Sequence, residues 1–331
     1  MKSHEYHFRR GDLIGLVQSL LIPMVAVAVI LRLSALSGLL PPPWPALDVD
    51  HTILTHQAQA SRMQSTADVL LIGDSSCLMD VSGRRLQEIY AGRHSFINLG
   101  SSMHVGLNGY AAMLSHFDTV NPGRLRLVVV LLHPEMLRGV EPVPQDLVFL
   151  SDYYSGADYR ESSSVQGQLC GLFGLDIVRD RFWSRLPLPL PKEYGRYYGF
   201  NLDLYDFMER QRGSAVDPHR FVVRPGLGNA EYRFSRALAD GCLALRAAVP
   251  PKARILIGIT PIPESFASAG YRARWQGLCH QWGQCMSPDD LLTNLPPTMP
   301  DSDFASTTHL NEQGSLHYAE ILAKCLEPHL D

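Results

Sequence analysis

Apolar residues along this chain gather in short continuous runs, separated by Gly, Pro, Asn and Ser and by stretches of helical spacing. The first run differs from the rest. Leu13 to Leu31 carries no charge and only Gln18 and Ser19 as clearly polar residues. About nineteen residues at ~1.5 Å each cover ~28 Å, enough to cross a bilayer core, and Pro23 is tolerable in such a helix. From Ala67 the rhythm changes. Val69 to Ile72 is a short apolar run closed by Gly73 and predicts a buried strand. Ser82 to Tyr90 predicts a helix with Ser82 at its cap. A strand over 95–98, a helix through Gly109 to Leu114, a turn at Asn121-Pro122-Gly123 and a strand over 126–132 follow. After residue 229 come a helix over 231–248, a strand from Ala253 to Ile259, and a last helix from about His309 to Leu326. Strands alternating with helices imply an α/β fold with a parallel sheet and right-handed crossovers.

This pattern divides the chain into an N-terminus at 1–12, an anchor at 13–33, a linker at 34–66 and an α/β domain at 67–331. Lys2, Arg9 and Arg10 precede the anchor, so residues 1–12 are expected in the cytoplasm and the domain on the far side of the membrane. The alternative is a cleaved signal peptide, with Ala35-Leu36-Ser37 as its small-x-small site. Leu40-Pro41-Pro42-Pro43-Trp44-Pro45 predicts a stiff extended spacer. Trp44 is either an interfacial residue or plain linker. Within the domain, residues 137–229 lose the α/β rhythm and are rich in aromatics, such as Tyr194, Tyr197, Tyr198 and Phe200. Such an insertion is a lid or docking surface beside the site, or it packs a small core of its own.

Composition narrows the function classes. A net charge of −4 over 331 residues, with no basic stripe interleaved with aromatics, argues against a nucleic-acid partner. No two cysteines have zinc-site spacing, no His-Glu-x-x-His occurs and no Gly-rich phosphate loop is present, so neither metal nor cofactor is expected. Among the six cysteines, Cys279 and Cys285 are close enough in sequence to be candidates for a bridge in an oxidising compartment. Cys77 is expected as a small buried apolar residue.

The candidate chemistry begins where the first domain strand ends. Gly73-Asp74-Ser75 puts a serine hydroxyl at a strand-to-helix junction, at the carboxyl end of a sheet, where open α/β folds place ligands. A serine needs a base, and Thr308-His309-Leu310-Asn311-Glu312-Gln313-Gly314 supplies a histidine at the start of the last helix. An early Gly-Asp-Ser with a late His-Leu-Asn-x-x-Gly resembles the SGNH (GDSL-type) hydrolase superfamily, over about residues 67 to 328. The resemblance implies a three-layer sandwich around a parallel central sheet. It also implies Ser75 as nucleophile, His309 as general base, and Gly100 of Asn98-Leu99-Gly100 as an oxyanion-hole donor, with Asn98 and Asp74 beside the site. Two positions depart from the family pattern. Ser306 stands where the family has an Asp, so Asp303, or else Asp301, is expected to orient His309. Glu135 stands near the position of the family's oxyanion-hole Asn, and a carboxylate there would repel a developing oxyanion.

The resemblance implies acyl transfer through an acyl-serine. Tethered outside the cytoplasmic membrane, such a chain is similar to O-acetyltransferases of cell-surface polysaccharides, which receive the acyl group through a multi-pass membrane-bound O-acyltransferase. The expected partners are therefore that protein, the inner membrane and a glycan acceptor. A periplasmic carbohydrate or lipid esterase and a non-catalytic scaffold or binding protein are the alternatives.

Overall fold

A computed structural model of the chain describes residues 10–37, 39–40, 48–101, 105–138, 150, 153–154, 174–220, 236–285 and 287–330. The proline run with Trp44, Cys170 and much of the expected insertion lie outside the described residues. The chain forms two compact units. One contains helix α1 (Arg10–Leu36) and the segment 174–186. Its stretch Ile14–Ala35 is long and apolar enough to cross a membrane, with a mean hydropathy of 2.5.

The second unit is a mixed α/β domain. Its elements run α2 (Val49–Ala60), β1 (Val69–Gly73), α3 (Ser75–Asp80), α4 (Gly83–Ile89), β2 (Phe96–Asn98), α5 (Gly106–Val120) and β3 (Leu127–Leu132). In chain order α6 (Leu175–Arg181) belongs to the first unit. The domain resumes with α7 (Lys192–Tyr197), α8 (Asn201–Arg210), α9 (Arg236–Ala248), β4 (Arg254–Ile259), β5 (Ile262–Pro263), α10 (Tyr271–Cys285), β6 (Thr298–Met299) and α11 (Glu312–Leu330). The main sheet has the order β2-β1-β3-β4, all parallel, with Leu71 opposite both Asn98 and Val129. Continuous apolar strands are what a sheet covered on both faces requires. Val69, Leu71, Val129, Leu131 and Leu256 bury one face against Leu86 of α4 and Tyr318, Leu322 and Leu326 of α11. Leu70, Ile72, Val128 and Val130, equally buried, take the other face by the two-residue period, and α5 packs on β1. As expected, Ser82 caps α4, its Oγ accepting the Arg85 N–H at 3.1 Å.

Two expectations need correction. Residues 34–66 are not all linker, because α2 lies inside the domain. Asp48 caps it, accepting the His51 N–H at 2.8 Å, and Ile53, Leu54, Gln57 and Ala58 are buried. The burial of polar Gln57 hides this helix from a hydropathy reading. Cys279 carries a free thiol, and the side chain of Cys285 lies outside the described residues. Both positions fall on α10, where six residues of helix separate their Cα atoms by roughly 9 Å, beyond the reach of a disulfide.

Candidate active site

The site is assembled by α3, the short helix that follows β1. Gly73 ends the strand where a side chain has no room, since a Cβ there would run into the Leu131 carbonyl. Asp74 then caps α3: its Oδ1 accepts the Ser76 N–H at 2.9 Å and the Ser76 hydroxyl at 2.6 Å. Its Oδ2 accepts the His133 N–H at 2.7 Å, which ties the end of β3 to the same turn. Asp74 is fully buried, and burial pushes its carboxyl up against the hydrogen bonds that favour the charged form. Its carboxylate is thus spent on framework bonds and is not a binding group. Ser75, the first residue of α3, is only partly covered.

The far end of the same helix holds the histidine loop. Asp80 Oδ1 accepts the Leu310 N–H at 2.8 Å. Burial drives the Asp80 carboxyl well above the ordinary carboxylate range. The loop closes on itself, with the His309 carbonyl accepting from the N–H groups of Ala305 and Ser306 at 3.0 and 3.2 Å. Ser306, at the family's Asp position, accepts the His309 N–H on its hydroxyl at 3.0 Å. It shapes the loop instead of meeting the imidazole. These bonds bring His309 Nε2 within 2.9 Å of Ser75 Oγ.

The carboxylate on the other side of His309 is Asp217, with Oδ2 at 2.9 Å from Nδ1. The expected Asp303 is elsewhere: its Oδ2 meets His317 Nδ1 at 3.0 Å. Its turn faces the start of α11, where the Asp303 carbonyl accepts the Asn311 N–H at 2.8 Å. Asp301 accepts the Ser265 N–H at 3.0 Å and is likewise not on His309. Asp217 arrives on an irregular segment that follows α8. Arg212 and Gly213 both take positive φ, 60° and 90°, and a Cβ on Gly213 would strike the Asn98 carbonyl. The Ala215 N–H then donates to Leu78 O at 3.1 Å, and Ser214 Oγ donates to Val81 O at 2.7 Å. Gln57 Nε2 donates to the carbonyls of both Gly213 and Gly100, at 2.9 and 2.6 Å. The segment is therefore pinned to α2, α3 and β2 before it reaches the site.

Asp217 Oδ1 also accepts from His219, through the backbone N–H at 2.9 Å and the ring Nδ1 at 2.5 Å. Burial favours the neutral acid, but the bonds from His309 and His219 outweigh it and hold Asp217 down at about 2. An ionised carboxylate only accepts, so His309 carries its proton on Nδ1 and presents the Nε2 lone pair to the Ser75 hydroxyl. Asp217, His219, Arg196, Tyr197 and Glu312 line an open groove of about 1280 Å³.

The expected oxyanion donor is committed elsewhere. The Gly100 N–H donates to Asn98 Oδ1 at 2.7 Å. Asn98 is fully buried, and its Nδ2 donates to Cys77 O at 2.8 Å and Ser214 Oγ at 3.0 Å. Gly100 is required for closeness, since a Cβ there would collide with the Leu78 amide. Asn98 and Gly100 thus brace α3 against β2. Glu135 lies in a 3-10 turn after β3, its N–H bonded to His133 Nδ1 at 3.1 Å. Among the described residues no group of three or more His, Cys, Asp or Glu is placed to hold a metal ion.

No local signal in the sequence marks Asp217, because the segment belongs to no regular element.

No family model matches the chain, and no curated protein does. A solved structure described as "a putative platelet activating factor from Streptococcus pneumonia" aligns over 85% of this chain and 92% of its own, at 14% identity and a TM-score of 0.37. A likeness at that level carries no argument about fold or activity, so the functional case rests on the geometry above.

Proposed function

We propose that this chain is an exported, membrane-anchored O-acyltransferase of the SGNH kind, which moves an acetyl or similar acyl group through an acyl-serine onto a cell-surface glycan. The observation that carries the reading is the unbroken run of hydrogen bonds from Ser75 through His309 to Asp217. In this reading Ser75 Oγ attacks the carbonyl of the incoming acyl ester while His309 Nε2 takes its proton. Asp217 steadies the imidazolium that forms, and the proton then passes to the leaving alcohol. A sugar hydroxyl next gives its proton to His309 and attacks the acyl-serine, releasing the esterified sugar and free Ser75. The basic residues ahead of α1 favour export of the domain, and a multi-pass O-acyltransferase in the same membrane is the donor this reading calls for.

The engaged Gly100 N–H, with Glu135 near the family's Asn position, leaves the oxyanion short of two expected donors, each worth about 3 kcal/mol in the transition state. That suits an enzyme fed by a dedicated donor and slow with water. The same observation favours, as a second reading, a binding protein that keeps the triad geometry without turnover. Polymer acyl content in a deletion strain complemented with wild type or Ser75→Ala separates the two. The transferase reading expects acylation restored only by wild type, and equal acylation in the two strains overturns it.

A further inference from the structure

In the first unit α6 packs on α1. It starts at Gly174, whose backbone lies against α1: a Cβ placed there would be 3.2 Å from Ala28 Cα and 3.5 Å from Leu31 Cδ1. Ala28 lies three residues before Leu31, the last residue of the uncharged run, with Arg32 next. At 1.5 Å per residue this is roughly 5 Å inside the run, measured along the helix. Helix α6 therefore begins close to the level at which α1 would leave the hydrocarbon.

The faces of α6 sort by environment. Ile177 and Arg181, four apart, are buried. Leu175, Val178 and Phe182 fall at i, i+3 and i+7 and are 52%, 36% and 46% exposed. Trp183 in the following 3-10 turn is 59% exposed and Leu186 is 45% exposed. In the sequence, residues 176, 179 and 180 of the same segment are charged. An exposed apolar stripe beside a membrane-spanning helix, in a segment that also carries charge, suits a helix lying in a bilayer interface. A tryptophan at its end suits the headgroup level.

We propose that α6 and the turn after it, residues 174–186, lie in the membrane interface at the C-terminal end of α1, with Leu175, Val178, Phe182 and Trp183 on lipid. The occupant of the stripe is the bilayer itself, because the stripe runs into the exposed apolar surface of α1 at the same depth. The chain would then hold the membrane at two places far apart in sequence. This inference rests on the anchor reading of α1 and not on the catalytic reading of Ser75.

The test uses the full chain reconstituted in phosphatidylcholine and phosphatidylglycerol vesicles. The fluorescence difference between wild type and Trp183→Phe isolates Trp183. Lipids brominated near the headgroup end of the acyl chain are expected to quench most of that emission, and aqueous iodide little of it. A second protein, Met24→Trp in the Trp183→Phe background, reports on α1 and is expected to respond most to bromine deep in the chain. Phe182→Asp is expected to release Trp183 to iodide, leaving the Met24→Trp signal unchanged. A Trp183 open to iodide and silent to bromolipid overturns the proposal. If Met24→Trp still reports the bilayer in that case, the anchor stands and only the interfacial placement of α6 falls. If both positions are silent to bromolipid, the anchor reading falls with it.

Discussion

Two histidines eight residues apart in the C-terminal region each meet a carboxylate, and the two pairs differ in what surrounds them. His317 meets Asp303 on the surface: the His317 side chain is 49% exposed, and the two residues lie close in sequence across the start of α11. His309 meets Asp217 in the interior, 92 residues away, with the Asp217 side chain 3% exposed. Sequence proximity favours Asp303 for His309, six residues away, but the fold gives that carboxylate to His317. The far pair is the one with a serine hydroxyl on its other side. Proximity along the chain finds carboxylates that can reach, whereas an imidazole aimed at a serine needs a carboxylate that is buried, ionised and held by the fold.

The largest expected effect sets the two carboxylates directly against each other. Asp217→Asn should lower turnover of an activated acetyl ester by up to ~10⁴, the size of loss known when a triad carboxylate gives way to an amide. Asp303→Asn should change it by less than about threefold, because that carboxylate meets His317 and not His309. Steady-state kinetics on both purified variants checks this, and a reversal of the order would return the role to Asp303.

The next effect concerns how Asp217 is delivered. Gly213→Ala forces a side chain into positive φ and against the Asn98 carbonyl. It should cost about 2 kcal/mol or more in urea unfolding, and it should also slow acylation. Gly123→Ala, at positive φ with nothing within 4 Å of an added Cβ, should cost only about 1 kcal/mol and leave acylation untouched. Equal effects on acylation would mean that the 212–217 segment does not govern the site.

Acid titration sharpens the contrast further. Asp217 is held at about 2 in the folded chain, below its ordinary value of 3.8. Its share of stability is therefore present above the unfolded value and is lost as pH falls toward about 2. Asp217→Asn should flatten that limb of the stability profile between about pH 4 and 2. Asp80 works in the opposite sense. Burial raises its folded value, so the folded chain holds that proton more tightly and loses stability as pH rises above the unfolded value. Asp80→Asn keeps an oxygen for the Leu310 N–H and should remove this loss. Urea unfolding at neutral pH should then find the variant as stable as wild type or slightly more so. Marked destabilisation would mean that the Asp80 carboxylate is charged in the fold.

The same contrast explains what the sequence disclosed. The strands, α4 with its Ser82 cap and the placement of Ser75 and His309 rest on local signals: apolar runs, a cap, and a Gly-Asp-Ser turn. These need only neighbouring residues to be understood. Asp217 rests on Arg212 and Gly213 at positive φ and on long-range bonds from Gln57, Ser214 and Ala215. No residue near 217 announces those partners. Helix α2 escaped notice for a related reason, because its buried face carries Gln57, whose amide serves two distant carbonyls. Gly100 and Asn98 matched a pattern by position, and the bond between them is local, but the bonds from Asn98 Nδ2 to Cys77 and Ser214 depend on how closely β2 approaches α3 and the 212–217 segment.

The measurement that bears most directly on the account is the site of attack by a fluorophosphonate probe, read by intact mass and peptide mapping on the purified chain. The account predicts a single adduct on Ser75, absent in Ser75→Ala and formed far more slowly in His309→Gln and in Asp217→Asn, with Asp303→Asn behaving as wild type. No adduct on the wild-type chain, or an adduct that survives Ser75→Ala, would contradict it.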